Sequence, residues 1–308
     1  MIDAAIVGLG RWGQALVESV RGKSERIRFV REVDIASGSV LQDALDDASV
    51  QAVVLATPHS LHREQVIAAA RAGKHVFCEK PLALCASDAR AMIEACEHTA
   101  VVLGVGHNRR FWPAMRELKR IVADGRLGRL LHIEGHNSNE NSNQVAGGWR
   151  TLQKESPGGG LTGAGLHVLD AFIGLCGPVR RVQAQLQTYK EDLPPLDAMF
   201  AMYWFTNGLS GTLATLRATP FYWRVHVFGS SGSAEVLGET ELVLRMSGQP
   251  LERLAFAPRD SVRAELEAFA DAVERRAPYP IPADQMLATV AAFEATVRSV
   301  ETAQPVAL

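Results

Sequence analysis

Ala4-Ala5-Ile6-Val7-Gly8-Leu9-Gly10-Arg11-Trp12-Gly13-Gln14-Ala15-Leu16-Val17 reads as a buried strand, a glycine turn and the start of a helix. Leu16, Val17 and Val20 recur at helical spacing until Gly22. In Gly8-x-Gly10-x-x-Gly13 the first glycine permits a tight turn. The second lets a diphosphate approach the backbone, and the third lets the helix pack closely on the strand. The helix N-terminus adds free N–H groups and the positive end of a dipole. A dinucleotide site is expected here, the alternative being a glycine turn without a ligand. An acidic residue ~20 positions on should accept the ribose hydroxyls. Asp34 stands there, at the end of a second strand, Ile27 to Val33; its alternative role is a plain helix cap. Ile35, Ala36 and Ser37 offer no arginine for a 2′-phosphate, so NAD is expected, with NADP the alternative.

The alternation continues outward from this unit. Ala52 to Ala56 is a buried strand stopped by Pro58, and His62 to Ala72 is an Ala-rich helix ended by Gly73. His75 to Cys78 is a strand, Ser87 caps a helix to about His98, and Val101 to Val105 is a further strand. Strands alternating with helices make βαβ units and a parallel sheet. Residues 35–51 leave room for one short crossover of ~10–12 residues, not for a further strand and helix. Near Phe111 the pattern changes to period-2 strands, among them Leu130 to Glu134, Val182 to Gln187, Met199 to Phe205 and Gly211 to Leu216. Such alternation implies a sheet with one buried face. Helices are expected over Met115 to Ala123, Val262 to Arg276 and Ala283 to about Ser299. The fold class is therefore α/β: a dinucleotide-binding domain over 1–122 and an α+β domain over 123–308 with a large, open, mostly antiparallel sheet.

Composition narrows the function. The 308 residues suit about two domains at ~150 each. Lys plus Arg is 32 and Asp plus Glu is 34, a net charge of −2, so nucleic acid is not expected as a partner. The apolar runs fall far short of the ~20 residues of a membrane helix. With Met1-Ile2-Asp3 at the start no secretory signal is expected, and none of the 4 cysteines has CxxC spacing. A reducing cytoplasm is expected, with no metal.

Glu79-Lys80-Pro81 directly follows the strand His75 to Cys78, at the carboxyl end of a parallel strand where ligands bind. A lysine desolvated there has its pKa pulled from ~10.4 toward 7–8 and can exchange a proton with a hydroxyl while hydride moves. The alternative is a surface lysine in a turn.

The joint spacing of these segments resembles the glucose-fructose oxidoreductase / inositol dehydrogenase / rhizopine catabolism (Gfo/Idh/MocA) family. The resemblance is carried by Gly8 to Gly13, Thr57-Pro58-His59-Ser60-Leu61-His62, Gly73 to Pro81, Asn108-Arg109-Arg110-Phe111, Trp149-Arg150, and Gly158-Gly159-Gly160 followed by Gly165-x-His167-x-x-Asp170. It implies a Rossmann domain, a second domain whose open sheet mediates homodimers or homotetramers, and oxidation of a secondary alcohol in a sugar, polyol or cyclitol. It implies Lys80 and His167 as the catalytic pair. Cofactor contacts would come from Gly8, Gly10, Arg11, Trp12, Gly13, Asp34, Thr57, Pro58, His59, His62, Glu79, Lys80 and Asn108. Substrate contacts would come from Lys80, Arg109, Trp149, Arg150 and His167. Four residues before the histidine the family commonly has an aspartate; here the position is Gly163. Glu134, Glu140 or Asp170 could stand in for it, or Lys80 and His167 could act without one. A catalytically silent nucleotide-dependent sensor is the alternative function. A third reading is an enzyme that retains its cofactor and interconverts sugars by transient oxidation. The Asn-rich stretch His136 to Gln144 would suit a polyhydroxylated ligand or be a solvated loop.

Overall fold

The computed structural model describes residues 1–34, 40–140, 149, 152–189 and 198–308. They fall into two compact units, Met1–Asn108 with Asp260–Val290 and Arg109–Arg259 with Ala291–Leu308.

In the first unit β1 (Ile2–Val7), β2 (Ile27–Val33), β3 (Ala52–Leu55), β4 (His75–Glu79) and β5 (Leu103–Gly106) pair in parallel. Their order is β2-β1-β3-β4-β5. The connecting helices are α1 (Arg11–Val20), α2 (Leu41–Leu45), α3 (His62–Arg71) and α4 (Ala86–His98). Ala52-Val53-Val54-Leu55 is buried throughout, as a central strand covered on both faces must be, whereas the edge strand β2 alternates. The order reverses between β1 and β3, so the crevice at their carboxyl ends is a topological switch point, the usual ligand site of such sheets. Cys85, not Ser87, precedes α4, because Ser87 already lies inside the helix. Residues 260–290, distant in sequence, pack here as well. Phe77 meets Phe269 and Tyr279 edge to face at 5.7 and 6.5 Å, and the Tyr279 hydroxyl donates to the Val105 carbonyl at 2.8 Å.

The second unit contains α5 (Pro113–Ala123), β6 (Leu130–Ser138), α6 (Leu166–Cys176), β7 (Val179–Gln187), β8 (Ala198–Phe205), β9 (Ser210–Leu216), β10 (Tyr222–Gly229), β11 (Gly232–Leu237), β12 (Glu241–Met246), β13 (Glu252–Ala255) and β14 (Val306–Ala307). The nine strands run β13-β12-β11-β10-β6-β9-β8-β7-β14. Only β6 and β9 pair in parallel. α6 covers the inward face: a Cβ at Gly135 would collide with Val168 and Phe172, so only glycine fits beneath the helix. The alternation of β6 then sends Ile133, Gly135 and Asn137 inward and His132, Glu134 and His136 outward. His136 and Asn137 are thus strand residues rather than part of a solvated loop; residues 141–144 of that stretch lie outside the described residues.

Candidate active site

The glycine turn is built as its spacing requires. Gly8 has φ +94°, and a Cβ there would sit 2.7 Å from the Ala56 carbonyl oxygen. A Cβ at Gly13 would collide with the Gly8 carbonyl, so β1 and α1 approach as closely as backbone allows. Gly10 differs. It precedes α1 with no side chain capping the helix, and nothing lies within 4 Å of its Cβ position. A bare helix N-terminus beside open space fits a diphosphate, with the α1 N–H groups as donors. Asp34 follows β2 and is half-buried, and Arg11 is exposed. The Trp12 indole Nε1 is buried without a hydrogen-bond partner among the described residues.

The second turn of this unit carries Lys80. The Lys80–Pro81 peptide is cis, Lys80 is half-buried, and its N–H donates to Glu79 Oε2 at 3.2 Å. The Glu79 carboxylate lies against Gly106 of β5, where a Cβ would meet Oε1 at 2.6 Å. His62 is fully buried and ties two loops together. Its Nδ1 lies 2.9 Å from the Pro81 carbonyl and its Nε2 3.2 Å from the Thr57 carbonyl. His62, expected at the cofactor, has a backbone carbonyl beside each ring nitrogen, within the frame that holds the Lys80 turn. The Thr57 hydroxyl donates to Gln65 Oε1 at 2.6 Å, Pro58 precedes a short 3-10 turn, and the His59 ring meets His62 edge-on at 5.7 Å. Burial, then the neighbouring Glu79 carboxylate, pushes the Cys78 thiol up, away from the thiolate form. Asn108 is buried and donates to Ser261 Oγ at 3.2 Å.

In the second unit a π-helical turn, Leu161–Gly165, leads directly into α6 and presents His167, half-buried, and Gly163, exposed. Such turns recur at functional sites. Two of the carboxylates expected to assist His167 are engaged elsewhere. Asp170 is held by Arg110, Nε to Oδ2 at 2.6 Å and Nη2 to Oδ1 at 2.7 Å, with Arg110 9% and Asp170 1% exposed. Glu134 pairs with Arg224 on the outward face, away from α6. Glu140 is exposed.

Arg109 stacks its guanidinium on Trp112 at 3.9 Å, with Phe221 and Trp223 at 5.7 and 5.8 Å. Trp149 is half-buried, and Arg150 lies outside the described residues. Thr215 and Arg217 were not singled out from the sequence, and Asn137 entered only as part of the stretch His136 to Gln144. All three are buried, and Arg217 sits against Gly163. Leu213 and Thr215 share one face of β9, so a threonine falls where an apolar core residue belongs, and Arg217 lies just beyond the end of the strand.

A concavity of about 970 Å³ lies on the outward face of the nine-stranded sheet, lined by Glu134, His136, Phe200, Met202, Tyr222 and Arg224 among others. Burial, then Arg224, pulls the His136 pKa below its ordinary value.

Residues 2–107 match the oxidoreductase family with an NAD-binding Rossmann fold, and residues 115–235 match the GFO/IDH/MocA C-terminal domain. A 2,7-anhydro-N-acetylneuraminate hydratase of Escherichia coli (strain K12) is 28% identical over 270 residues, 81% of this chain and 71% of its own length. A scyllo-inositol 2-dehydrogenase (NAD(+)) of Bacillus subtilis (strain 168) is 28% identical over 254 residues, 75% of this chain and 72% of its own length. Several further relatives align over only 39% to 51% of their own length. A levoglucosan dehydrogenase solved with NADH and levoglucosan shares the fold, with TM-score 0.88 at 23% identity over 99% of both chains. Among the described residues no helix is long and apolar enough to cross a membrane.

Proposed function

Because the chain belongs to the GFO/IDH/MocA family of NAD-binding oxidoreductases, we propose that it transfers a hydride between NAD and a secondary alcohol or ketone of a sugar, polyol or cyclitol. The observation that carries this reading is the open cradle at Gly10, at the head of an uncapped helix and beside a topological switch point. NAD, when bound, supplies the carbon that accepts the hydride. The α1 N–H groups hold its diphosphate and Asp34 its ribose hydroxyls, with NADP the less suited dinucleotide. In oxidation the Lys80 amine takes the hydroxyl proton as the carbon–hydrogen bond gives up its hydride, leaving the ketone. In reduction the same ammonium returns the proton. His167 orients the hydroxyl or relays that proton, and with Asp170 and Glu134 both paired it acts without either of them.

The cytoplasm is the proposed compartment, with no nucleic acid partner. The proposed assembly is a homodimer or homotetramer through the outward face of the nine-stranded sheet. Phe200, Met202 and Tyr222 are 39%, 46% and 46% exposed on that face, an apolar patch that a second copy would cover.

A second reading is favoured by the hydratase relative. In it the cofactor stays bound and is reduced and reoxidised within one turnover, with no net redox change. An assay over a sugar, polyol and cyclitol panel separates the two. NADH accumulating with NAD and a panel member supports the dehydrogenase. Product formation with sub-stoichiometric NAD and no NADH supports the closed cycle. Failure of both supports a silent sensor.

A further inference from the structure

β3 and β4 are neighbours and pair in parallel, with Leu55 opposite Cys78, so the chain leaves both strands side by side at their carboxyl ends. After β3 come Thr57 and Pro58, a 3-10 turn (His59–Leu61) and α3, whose first residue is His62. After β4 come Lys80 and Pro81. The His62 ring, 0% exposed, stands between the two exits. Its Nδ1 faces the Pro81 carbonyl at 2.9 Å and its Nε2 faces the Thr57 carbonyl at 3.2 Å.

Carbonyls only accept, and a neutral imidazole donates from one nitrogen. A neutral ring therefore serves one of the two carbonyls, and the shorter contact is the one to Pro81, the residue directly after Lys80. The Lys80 turn is gripped from another side as well. The Lys80 N–H donates to Glu79 Oε2 at 3.2 Å, and that carboxylate lies against Gly106 of β5, where a Cβ would meet Oε1 at 2.6 Å. The Lys80 backbone is thus held between a side chain of its own strand and a ring of α3. Being fully buried, the His62 ring acts on the reacting atoms through the turn it holds.

We infer that His62 is a positioning residue for Lys80: its Nδ1–H donates to the Pro81 carbonyl and fixes the turn from which the lysine amine projects. This role rests on the proposal that Lys80 exchanges the substrate proton. The ring opens α3, so the bond sets the turn against a regular helix rather than against another loop. Without the bond the Pro81 carbonyl loses its imidazole donor and the turn loses one of its two described holds. A displacement of ~1 Å at a proton-exchanging group is enough to cost ~10²-fold in rate.

Two amide variants separate the ring nitrogens. In His62→Asn the side-chain NH2 falls close to the place of Nδ1, and in His62→Gln close to that of Nε2. Trace acetylation of the full chain with acetic anhydride, read on the Lys80 peptide by mass spectrometry across pH, reports on the amine without turnover. Kinetics with NAD and the sugar, polyol and cyclitol panel are read in parallel. His62→Gln should lower kcat by ~10²-fold with KM for NAD within a few-fold, and His62→Asn should recover at least about tenfold of that loss. The Lys80 acetylation rate near neutral pH should change by about threefold or more in His62→Gln and return toward the wild-type rate in His62→Asn. A His62→Gln chain with wild-type kcat and acetylation, a KM for NAD that rises in step with the fall in kcat, or a His62→Asn chain no better than His62→Gln would each overturn the inference. If His62→Gln fails to fold, His62→Asn decides alone: kcat within about tenfold of wild type supports the Nδ1 bond, and a ~10²-fold loss overturns it. Should no panel member reduce NAD while the acetylation pattern holds, His62 keeps its hold on the turn and the oxidoreductase reading falls. Turnover with Lys80 acetylation unchanged in both variants removes His62 and leaves the proposed function standing.

Discussion

Asp34 follows the last residue of β2, half-buried, on the strand that pairs with β1 below the glycine turn. Its carboxylate can accept two ribose hydroxyls but would repel a 2′-phosphate. Asp34→Ala should raise KM for NAD about tenfold and narrow or reverse the preference over NADP, as lost hydrogen bonds to a charged acceptor are worth ~1.5–3 kcal/mol. Paired titrations of the two dinucleotides check this; unchanged selectivity would assign the ribose to another residue. The glycine turn was legible in the sequence, and so were the positions of Asp34 after β2, of Lys80 after β4 and of His167 near the glycine-rich bend, because each sits at a fixed offset from a strand or a turn. His62 was legible as a candidate but not in its setting, since only coordinates reveal two carbonyls on its ring. Arg217, just past the end of β9, carried no local signal. Its place against Gly163, distant in sequence, is visible only once the chain has folded.

Among the elements, α6 depends on one buried ion pair. Arg110 grips both Asp170 oxygens and also donates to the Asp170 carbonyl at 3.0 Å, and the bare Gly174 makes room for it, since a Cβ there would lie 2.6 Å from Nη1. Arg110→Met would leave a carboxylate buried without its partner, a loss of ~3–5 kcal/mol. Chemical denaturation should show that loss; a change below about 1 kcal/mol, within the range of exposed pairs, would mean the pair is dispensable. The sequence reading found the parallel strands and most of the antiparallel ones because their apolar periods are clean. It passed over α6, Leu-His-Val-Leu-Asp-Ala-Phe-Ile-Gly-Leu-Cys, for a physical reason. Eight of its residues are buried, so the helix is apolar nearly all round and has no amphipathic stripe to detect. It also passed over β11 and β13. On β11, Glu235 occupies the outward face but is buried by ion pairs with Arg224 and Arg245, which hides the expected polar alternation.

For the whole molecule, His75, His136 and His226 bear on the pH dependence. Burial, the largest cause in each case, holds all three pKa values below their ordinary one. Each therefore stays neutral in the folded chain where the unfolded chain would take a proton. Stability should be flat above the unfolded histidine value of ~6.5 and should fall as pH drops below it toward the folded values. Carboxylates act in a separate, lower window: Asp47, drawn down to about 2 by the Ser49 hydroxyl first and then Arg31, loses its contribution only as pH falls below ~4. Thermal melts should therefore show Tm declining between about pH 6.5 and 5; a constant Tm across that range would contradict the sign. Assembly belongs to the same scale. Met202→Glu, on the outward sheet face, should convert the proposed dimer to monomer in sedimentation, and an unchanged mass would place the interface elsewhere.

Hydride transfer in the proposed reaction depends on Lys80 as the proton-exchanging group. The most direct measurement is NADH formation by the wild type and by Lys80→Ala, over sugars, polyols, cyclitols and sugar acids, with NAD affinity measured in parallel. The wild type should reduce NAD with at least one of these compounds. Lys80→Ala should be slower by ~10²–10⁴-fold while binding NAD within a few-fold of the wild type. A Lys80→Ala enzyme that turns over at the wild-type rate would contradict that dependence.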